Sequence, residues 1–262
     1  MDKEKEFNEF YDEAIRLWGE DAQLRMCIEE MSELMKEICK FQRYTQIKGQ
    51  ATPEKINEVR ESIIEETADV LNCVSQVARM FGKDKVQKVR EEKVARTKKK
   101  IKEYCQEMGI VKTTLLYIVK DGKVLLGEKL RGFGKGLYNG VGGKVQEGEQ
   151  IIEGMLRETK EEFGVFPKNY RHMGNIFYDE FKDGEKIYYD TSIFIADDYE
   201  GDLQTTDEMR PEWFDIENLP YSQMFGDDVY WLKEVLNGKR INAKFCFDNS
   251  FNLINKYIVF DK

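Results

Sequence analysis

The sequence predicts two domains, an all-helical domain in residues 1–108 and a mixed α/β domain in residues 109–262. The chain has 262 residues, which is enough for two domains of ordinary size. Apolar residues recur at helical spacing in the first part, whereas strand-like runs joined by Asp-Gly turns dominate the second. The change of pattern places the boundary near residues 108–111.

Four helices account for the amino-terminal part. Their apolar spacing predicts them over about residues 7–17, 24–41, 53–81 and 83–108. The third begins with Thr52 as its cap and Pro53 at its first position, after a polar loop that contains Gly49. Gly109 is expected to end the basic fourth helix in a left-handed conformation.

Strands and two further helices account for the carboxy-terminal part. Asp121-Gly122 and Asp183-Gly184 are dipeptides that favour tight hairpin turns. Strands are predicted over about residues 112–120, 123–127, 175–181, 186–196 and 212–215. Helical spacing returns at residues 150–162 and 226–236.

Composition excludes several classes of function. The net charge of −9 disfavours stable binding to a nucleic-acid backbone, which depends on Lys and Arg. No apolar run is long enough for a membrane span or a signal core. Five widely spaced cysteines without a CxxC pair indicate reduced thiols and a cytoplasmic protein. Because His172 is the only histidine, a histidine-based zinc site is excluded, and any chemistry is expected to use carboxylates, lysine or metal.

A glycine-rich loop and the helix after it carry an unusual set of carboxylates. Residues three and four apart on a helix share a face, so Glu158, Glu161 and Glu162 are expected to crowd together. Each like-charged pair costs roughly 0.2–0.5 kcal/mol, which a hard cation such as Mg²⁺ would offset. The segment therefore predicts a metal-diphosphate site. A charged amphipathic helix without a ligand is the alternative.

The spacing in this segment is that of the Nudix box, Gly-x5-Glu-x7-Arg-Glu-U-x-Glu-Glu-x-Gly-U, in which U is a bulky aliphatic residue. The residues that fit are Gly143, Glu149, Arg157, Glu158, Glu161, Glu162, Gly164 and Val165. Thr159 departs from the pattern at the first U position. Because Thr159 is expected on the buried face of the helix, the change costs some packing but affects no ligand.

From Val111 onward the chain resembles the Nudix hydrolases, and among them the oxidised-purine nucleoside triphosphatases, or 8-oxo-dGTP diphosphatases. The resemblance rests on residues 131–149, 207–214 and 224–231. It implies an α/β/α sandwich that uses Mg²⁺, or alternatively Mn²⁺, to hydrolyse a nucleoside triphosphate to the monophosphate and pyrophosphate.

The resemblance also implies roles for the carboxylates. The metal would be held by Glu158, Glu161 and Glu162 with a backbone carbonyl near Gly142–Gly143, while Glu149 and Arg157 would act in largely structural roles. A carboxylate must serve as the general base. Glu161 and Glu208 both remain candidates.

A second set of residues is implied around the purine base, where each aromatic stack contributes about 1–3 kcal/mol. Its members are Thr114, Phe133, Tyr138, Asn139, Met209, Phe225, Asp227, Asp228 and Trp231. Two adjacent aspartates in an apolar pocket repel each other, so one is expected to hold a proton. Helix capping is the alternative role for the aspartates, and core packing for the aromatic residues. Phe225-Gly226 replaces the Trp-Pro of the vertebrate-type enzymes, which puts affinity and the choice among oxidised purines in question.

The amino-terminal helices carry another set of carboxylates. If the second and third helices pack antiparallel, Glu30 and Glu33 face Glu66 and Asp69 across one cleft, which suits Mg²⁺. Residues 29–34 and 65–71 resemble the MazG-like all-α nucleoside triphosphate pyrophosphohydrolases. This resemblance implies a second pyrophosphatase in a homo-oligomeric helical bundle.

In that bundle the substrate phosphates would be within reach of the fourth helix, through Lys93 and Arg96. A solvated acidic face and a module kept for dimerisation are the alternatives.

The leading hypothesis is therefore a bifunctional enzyme. The others are a protein in which only the Nudix domain is active, a Nudix enzyme for another diphosphate such as a nucleotide sugar or capped RNA, and a non-catalytic nucleotide-binding module.

Overall fold

The structure, a computed structural model, describes residues 3–46, 51–182 and 184–261. The chain divides into two compact units, Met1–Lys100 and Ile101–Lys262. The loop predicted around Gly49 and the turn residue Asp183 lie outside the described residues. In the described ranges, no helix combines the length and the apolar character needed to cross a membrane.

Long helices form the first unit, and the last of them extends seven residues beyond Lys100. Their bounds are α1 Lys3–Trp18, α2 Glu20–Gln46, α3 Pro53–Phe81 and α4 Lys83–Glu107. The side chain of Thr52 accepts a hydrogen bond from the Lys55 N–H at 3.4 Å, as expected for the cap of α3. Gly109 has φ 60°, so the predicted end of α4 is confirmed.

Helices α2 and α3 pack antiparallel. The Arg60 guanidinium of α3 lies 5.5 Å from the centre of the Phe41 ring near the end of α2, whereas Glu30, earlier in α2, faces Asp69, later in α3. Arg79 ties the far end of α3 to α1 through a 2.7 Å hydrogen bond to Asp12. This arrangement confirms the orientation that the carboxylate prediction required.

A mixed sheet forms the second unit. Its strands are β1 Val111–Lys120, β2 Lys123–Lys129, β3 Tyr138–Asn139, β5 Arg171–Lys182, β6 Glu185–Ala196, β8 Met209–Asp215, β9 Arg240–Phe247 and β10 Leu253–Asp261. Their order is β10-β9-β5-β6-β1-β2-β3, and β8 pairs with β2. Strands β1 and β6, and β5 and β9, run parallel, while the other pairs are antiparallel. A separate pair joins β4 Phe166–Lys168 to β7 Asp198–Glu200.

Helices cover both faces of this sheet. Successive side chains of a strand point to opposite faces, and β1 shows this alternation. Leu116 and Ile118 pack with Phe163 of α5 (Ile151–Phe163), whereas Tyr117 packs in a second core with Leu232 of α6 (Leu232–Leu236). The predicted α/β/α sandwich is therefore confirmed.

The sequence prediction missed five strands. β3, β4 and β7 have two or three residues, too few for an alternating pattern to stand out. β9 does alternate, since Ile241, Ala243, Phe245 and Phe247 are buried and the residues between them are less so, but Ala and Asn weaken its signal. β10, at the edge of the sheet, is largely exposed, and its apolar residues do not alternate strictly with polar ones.

The helix predicted over residues 226–236 was wrong in its first half. A 3-10 turn, Asp228–Tyr230, precedes α6, which has only five residues. The apolar spacing reflects burial of Trp231, Leu232 and Val235 in the core, which an irregular chain also permits. The Asp227 carboxylate accepts from the Trp231 side chain, and the Asp228 carboxylate accepts from the Phe225 N–H just before the segment, which favours turns over a regular helix.

Candidate active site

The glycine-rich loop is held against β1 and α5. The Gly142 N–H donates to Oε2 of Glu162 at 3.0 Å, and the Gly143 carbonyl accepts from the Thr114 N–H at 2.9 Å. A Cβ at Gly142 would lie 2.0 Å from the Thr114 carbonyl oxygen, and a Cβ at Gly143 would lie 2.6 Å from the Glu158 carboxylate. Only glycine therefore allows the loop to approach both elements this closely.

Arg157 connects the carboxylates of this region. Its guanidinium donates to both oxygens of Glu149, at 2.9 and 3.0 Å, and to Glu158 at 2.8 Å and Glu161 at 3.1 Å. It also donates to the Lys144 carbonyl at 2.9 Å. The hydrogen bond to Glu149 is the main reason why the pKa of Arg157 is raised, and it lowers the pKa of Glu149. Both residues thus connect the glycine-rich loop to helix α5.

The three helix carboxylates differ in environment. Glu162 is 4 % exposed, while the side chains of Glu158 and Glu161 are 16 % and 59 % exposed. Burial raises the pKa of Glu162 to about 7, and burial also raises the pKa of Glu158. These two neighbouring carboxyls, of which Glu158 is paired with Arg157, form a partly desolvated oxygen donor set that fits a divalent ion.

A cavity of about 490 Å³ extends from this loop across the sheet. Gly142, Gly143 and Glu208 line it where the loop lies, and Phe133, Phe225 and the Asp227–Asp228 pair also line it. Phe133 contacts Phe225 with ring centroids 5.6 Å apart. The cavity therefore places groups suited to phosphate and metal together with groups suited to a base.

The aspartate pair forms a deeply buried wall of this cavity. Asp227 and Asp228 are 4 % and 3 % exposed. Tyr178 and Trp231 donate to Oδ2 of Asp227 at 3.1 and 3.2 Å, and the Phe225 N–H donates to Asp228 at 3.1 Å. Burial raises the pKa of both carboxyls, and that of Asp228 is raised well above its usual value by burial and then by Asp227. Because the side chain of Asp227 caps no helix, the capping role is disfavoured for this residue.

Two other predicted residues offer unused polar atoms to the cavity. Thr114 is 1 % exposed, and its hydroxyl has no hydrogen-bond partner among the described residues. Asn139 accepts from the Tyr117 hydroxyl at 3.1 Å and from the Gly140 N–H at 2.8 Å through Oδ1. Its amide nitrogen consequently points away from these partners and is available as a donor.

Three predicted base contacts do not line the cavity. Tyr138 is buried and donates to Glu212 at 2.7 Å. Met209 is 1 % exposed and packs in the core on the α5 face of the sheet. Its sulfur lies so close to Gly127 that a Cβ at that glycine would be 2.2 Å from it. Trp231 is 1 % exposed and reaches the site only through its hydrogen bond to Asp227. Core packing, the alternative for such residues, describes all three.

Several cavity residues were missed at the sequence level. Among them are Lys129, Arg131, Tyr178, Glu180, Tyr189 and Thr191. Tyr178 and Glu180 alternate along β5, and Tyr189 and Thr191 along β6, so each pair shares one face of the sheet. The alternation could be recognised in the sequence. Which face of the sheet the cavity occupies depends on the order of the strands, which the sequence does not give.

The two candidates for the general base lie in different surroundings. Glu208 lines the cavity and is paired with Arg131, while Glu161 is more exposed and contacts Arg157 at 3.1 Å. The Thr206 hydroxyl accepts from the Glu208 N–H at 3.3 Å and so positions the start of β8. The choice between Glu161 and Glu208 stays open.

In the helical unit, single carboxylate oxygens of Glu30, Glu66 and Asp69 lie within 4.8 Å of one another. Burial raises the pKa of Glu30 and Glu66, and the charge of Glu33 adds to both shifts. Lys93 and Arg96 are exposed on α4, which buries no residue, and neither is among the charges that shift these pKa values. The structure thus groups three of the four predicted carboxylates, with the charge of Glu33 near enough to affect two of them, but it does not bring the two predicted cations to them.

Comparison with known proteins assigns the second unit. Residues 111–235 match the family model described as NUDIX domain. The chain is 47 % identical over 134 residues to an oxidized purine nucleoside triphosphate hydrolase of Danio rerio, covering 51 % of this chain and 85 % of the relative. It is 38 % identical over 142 residues to the Mus musculus protein of the same name, covering 54 % and 90 %. A MutT protein from Bacillus halodurans superposes with a TM-score of 0.51 at 27 % identity, covering 57 % of this chain and 97 % of that one.

The fold and the site define a hydrolase of phosphoanhydride bonds. The chain belongs to the Nudix family through residues 111–235. Nudix hydrolases generally need a divalent metal, and the donor set around Glu158 and Glu162 fits one.

Proposed function

We propose that the chain hydrolyses oxidised purine nucleoside triphosphates, such as 8-oxo-dGTP, to the monophosphate and pyrophosphate in a Mg²⁺-dependent reaction. One observation carries the proposal. A single cavity is lined both by the glycine-rich loop beside the Nudix carboxylates and by the buried Asp227–Asp228 pair. The similarity to two oxidized purine nucleoside triphosphate hydrolases supports the same substrate class.

The residues divide the work between phosphates and base. Glu158, Glu161 and Glu162 with the Gly142–Gly143 backbone would hold Mg²⁺, which supplies electrostatic stabilisation of the phosphates and of the developing negative charge. A water oxygen forms the new bond to phosphorus, the phosphoanhydride P–O bond breaks, and the leaving phosphate oxygen retains the bonding electrons. Glu161 or Glu208 takes the proton of the attacking water. Mn²⁺ is the second candidate ion.

Base recognition combines apolar faces with hydrogen bonds. Phe133 and Phe225 present aromatic faces to the cavity, and the unused amide nitrogen of Asn139 can donate to a purine carbonyl oxygen. An ionised carboxyl of the Asp227–Asp228 pair accepts the N–H donors of a guanine edge. A protonated one donates to a carbonyl, so two protonation arrangements allow more than one oxidised purine.

The proposal is tested by the products of the full-length protein. The assay contains Mg²⁺ and compares 8-oxo-dGTP, 2-hydroxy-dATP, dGTP, ADP-ribose and a nucleotide sugar. We expect monophosphate and pyrophosphate, with the highest kcat/KM for the oxidised purines. A clear preference for ADP-ribose or the sugar nucleotide would replace this proposal with that of a Nudix enzyme for another diphosphate.

The buried pair also makes a prediction about stability and pH. Because the folded state raises the pKa of Asp228, it binds a proton more tightly than the unfolded chain, and stability falls as pH rises above about 4. Asp228→Asn removes this penalty. We expect the Tm of the variant to exceed that of wild type by a margin that grows with pH, on the order of 3 °C for each kcal/mol of difference in unfolding free energy. Its kcat/KM for 8-oxo-dGTP is expected to fall by about tenfold or more, because a hydrogen-bond partner of the base is changed.

Asp248→Asn is the matched control, measured by the same thermal unfolding series. Asp248 is partly exposed and accepts hydrogen bonds from Asn252 and the Ser250 N–H, which lower its pKa. Its contribution therefore exists above the unfolded pKa and disappears as pH falls, so this variant loses stability at neutral pH. If both variants followed the same trend with pH, the burial argument for Asp228 would fail.

A second candidate function belongs to the helical unit. The grouped carboxylates of Glu30, Glu66 and Asp69, with Glu33 near them, favour a Mg²⁺ site of the MazG-like type and a second pyrophosphohydrolase in residues 1–108, beside a Nudix domain in 109–262. The alternative is that only the Nudix domain is catalytic and the helices serve oligomerisation or regulation.

The helical candidate is tested in the full-length chain after the Nudix site is disabled by Glu162→Gln. We expect residual release of pyrophosphate from some canonical nucleoside triphosphate, which Glu66→Gln abolishes because it removes a ligand. Glu61→Gln, an exposed carboxylate on the same helix, is expected to leave the residual rate unchanged. No residual release from any nucleotide would leave the helices without a catalytic role.

The helices also support a homo-oligomer, as the MazG resemblance implied. Large apolar side chains are exposed on α1, α2 and α3, among them Phe7, Phe10, Trp18, Ile28, Met31, Met35 and Leu71. Exposed apolar area of this kind commonly marks an interface. Light scattering of the full-length protein measures the oligomeric state directly.

The five free cysteines support a reducing, cytoplasmic location.

A further inference from the structure

Glu180 lies in the wall of the nucleotide cavity, although the Nudix box does not include it. It is half-buried on β5, two residues after Tyr178 and therefore on the same face of the sheet. It also lines a smaller adjoining cavity of about 340 Å³, together with Phe133 and Tyr189, which both cavities share. Glu180 thus lines two adjoining cavities, and each of them also has aromatic side chains in its wall.

The carboxylate of Glu180 has no protein partner within the described ranges. The neighbouring Asp179 points to the other face of the sheet and forms an ion pair with Lys186 at 3.0 Å. Lys186 is therefore paired on the face of the sheet opposite to Glu180. Burial, and after it the charge of Asp227, raise the pKa of Glu180 to about 7.

A half-buried carboxyl without a partner costs free energy unless a ligand supplies a donor. The triphosphate cannot be that ligand group, because it carries the same charge. The polyphosphate belongs beside the glycine-rich loop and the Nudix carboxylates, so Glu180 faces the other part of the nucleotide. The donors available there are the N–H groups of the purine, such as the exocyclic amine of guanine and the N7–H that oxidation at C8 creates.

We propose that Glu180 is a specificity-determining residue that accepts a hydrogen bond from a purine N–H, so that the base meets a third carboxyl besides Asp227 and Asp228. This inference rests on the proposed function, since it presupposes a purine in the cavity. It concerns the choice among purines and not the hydrolysis. The carboxyl of Glu180 selects among purines and takes no part in the hydrolysis itself.

The test compares Glu180→Leu and Glu180→Gln with wild type in the full-length protein. The substrates form two pairs that each differ at an N–H donor. dGTP carries the C2 amine that dITP lacks, and 8-oxo-dGTP carries the N7–H that dGTP lacks. We expect Glu180→Leu to change at least one kcat/KM ratio by about tenfold or more, which is the scale of a hydrogen bond to a charged group. Glu180→Gln keeps a carbonyl acceptor and is expected to change the same ratio less.

Glu185→Gln is the matched control, because Glu185 is exposed in the neighbouring strand of the same hairpin. We expect both of its ratios to equal those of wild type. Equal losses for all substrates in the Glu180 variants, or ratios that do not change, would overturn the inference alone. Failure of the wild-type protein to hydrolyse any purine triphosphate would instead overturn the proposed function, and the inference with it. Thermal unfolding of each variant separates a loss of folding from a change of selectivity.

Discussion

Replacing Glu162 with glutamine is expected to lower kcat for a nucleoside triphosphate by about 10³-fold or more while the domain stays folded. The size of the loss is the upper end of what removal of one preorganised electrostatic group produces. Glutamine has nearly the same volume, and its amide oxygen can still accept the Gly142 N–H that now bonds Glu162 at 3.0 Å. Steady-state kinetics with Mg²⁺ and thermal unfolding of the same preparation measure both parts of the prediction.

The folding part of this prediction follows from the environment of Glu162. Burial raises its pKa to about 7, so the ionised side chain destabilises the folded protein at neutral pH in the absence of a cation. Its neutral replacement should therefore unfold at the same temperature or a higher one. Glu147→Gln changes an exposed carboxylate of the preceding loop and is expected to keep the wild-type rate. A Glu162→Gln variant with wild-type turnover would refute the carboxylate mechanism.

Arg157→Met, a change on helix α5, is expected to destabilise the Nudix domain. The guanidinium side chain is 23 % exposed and pairs with Glu149, whose side chain is 14 % exposed. Removing one partner leaves Glu149 and Glu158 without their cation, and the loss for buried pairs is about 3–5 kcal/mol. Because this pair keeps some contact with water, we expect about 2–4 kcal/mol. Denaturant unfolding followed by tryptophan fluorescence measures it.

Arg171→Met provides the comparison for Arg157. Arg171 also pairs with a carboxylate, Asp197, at 2.7 Å, but the two side chains are 49 % and 54 % exposed. Exposed pairs contribute about 0–1 kcal/mol, so the expected loss is small. Activity should separate the variants as well, because Arg157 also holds Glu158 and Glu161 in place. Equal destabilisation by the two changes would show that the Arg157 hydrogen bonds do not hold the loop.

Much of the site could be predicted because its signal is local. Glu158, Glu161 and Glu162 share a helix, and their spacing alone brings them to one region of it. The aspartate pair is adjacent in the chain, so its mutual repulsion was also readable, and its raised pKa values follow from burial. The four helices and the Asp121-Gly122 hairpin, with φ of 51° and 73° at the two turn residues, carried similarly local signals.

Several predicted site residues lie elsewhere in the structure, because contacts with distant parts of the chain decide where these side chains lie. Trp231 and Met209 are apolar and close in sequence to site residues, and only packing shows that they face the core. Lys93 and Arg96 carry the right charge for phosphates, yet α4 leaves them exposed. Glu180 has no motif around it, so nothing in the sequence distinguished it from an exposed strand carboxylate.

The sequence by itself determined the family and the two-part organisation and predicted the metal-binding carboxylates, because each depends on spacing within a single element or on a change of period along the chain. Only the tertiary structure decided which residues line the cavity, since that depends on β5, β6 and β1 lying side by side in the sheet. It also decided which carboxyls lose water. Burial, more than residue type, raises the pKa of Glu162, Glu180 and Asp228, and burial is a property of the packed chain.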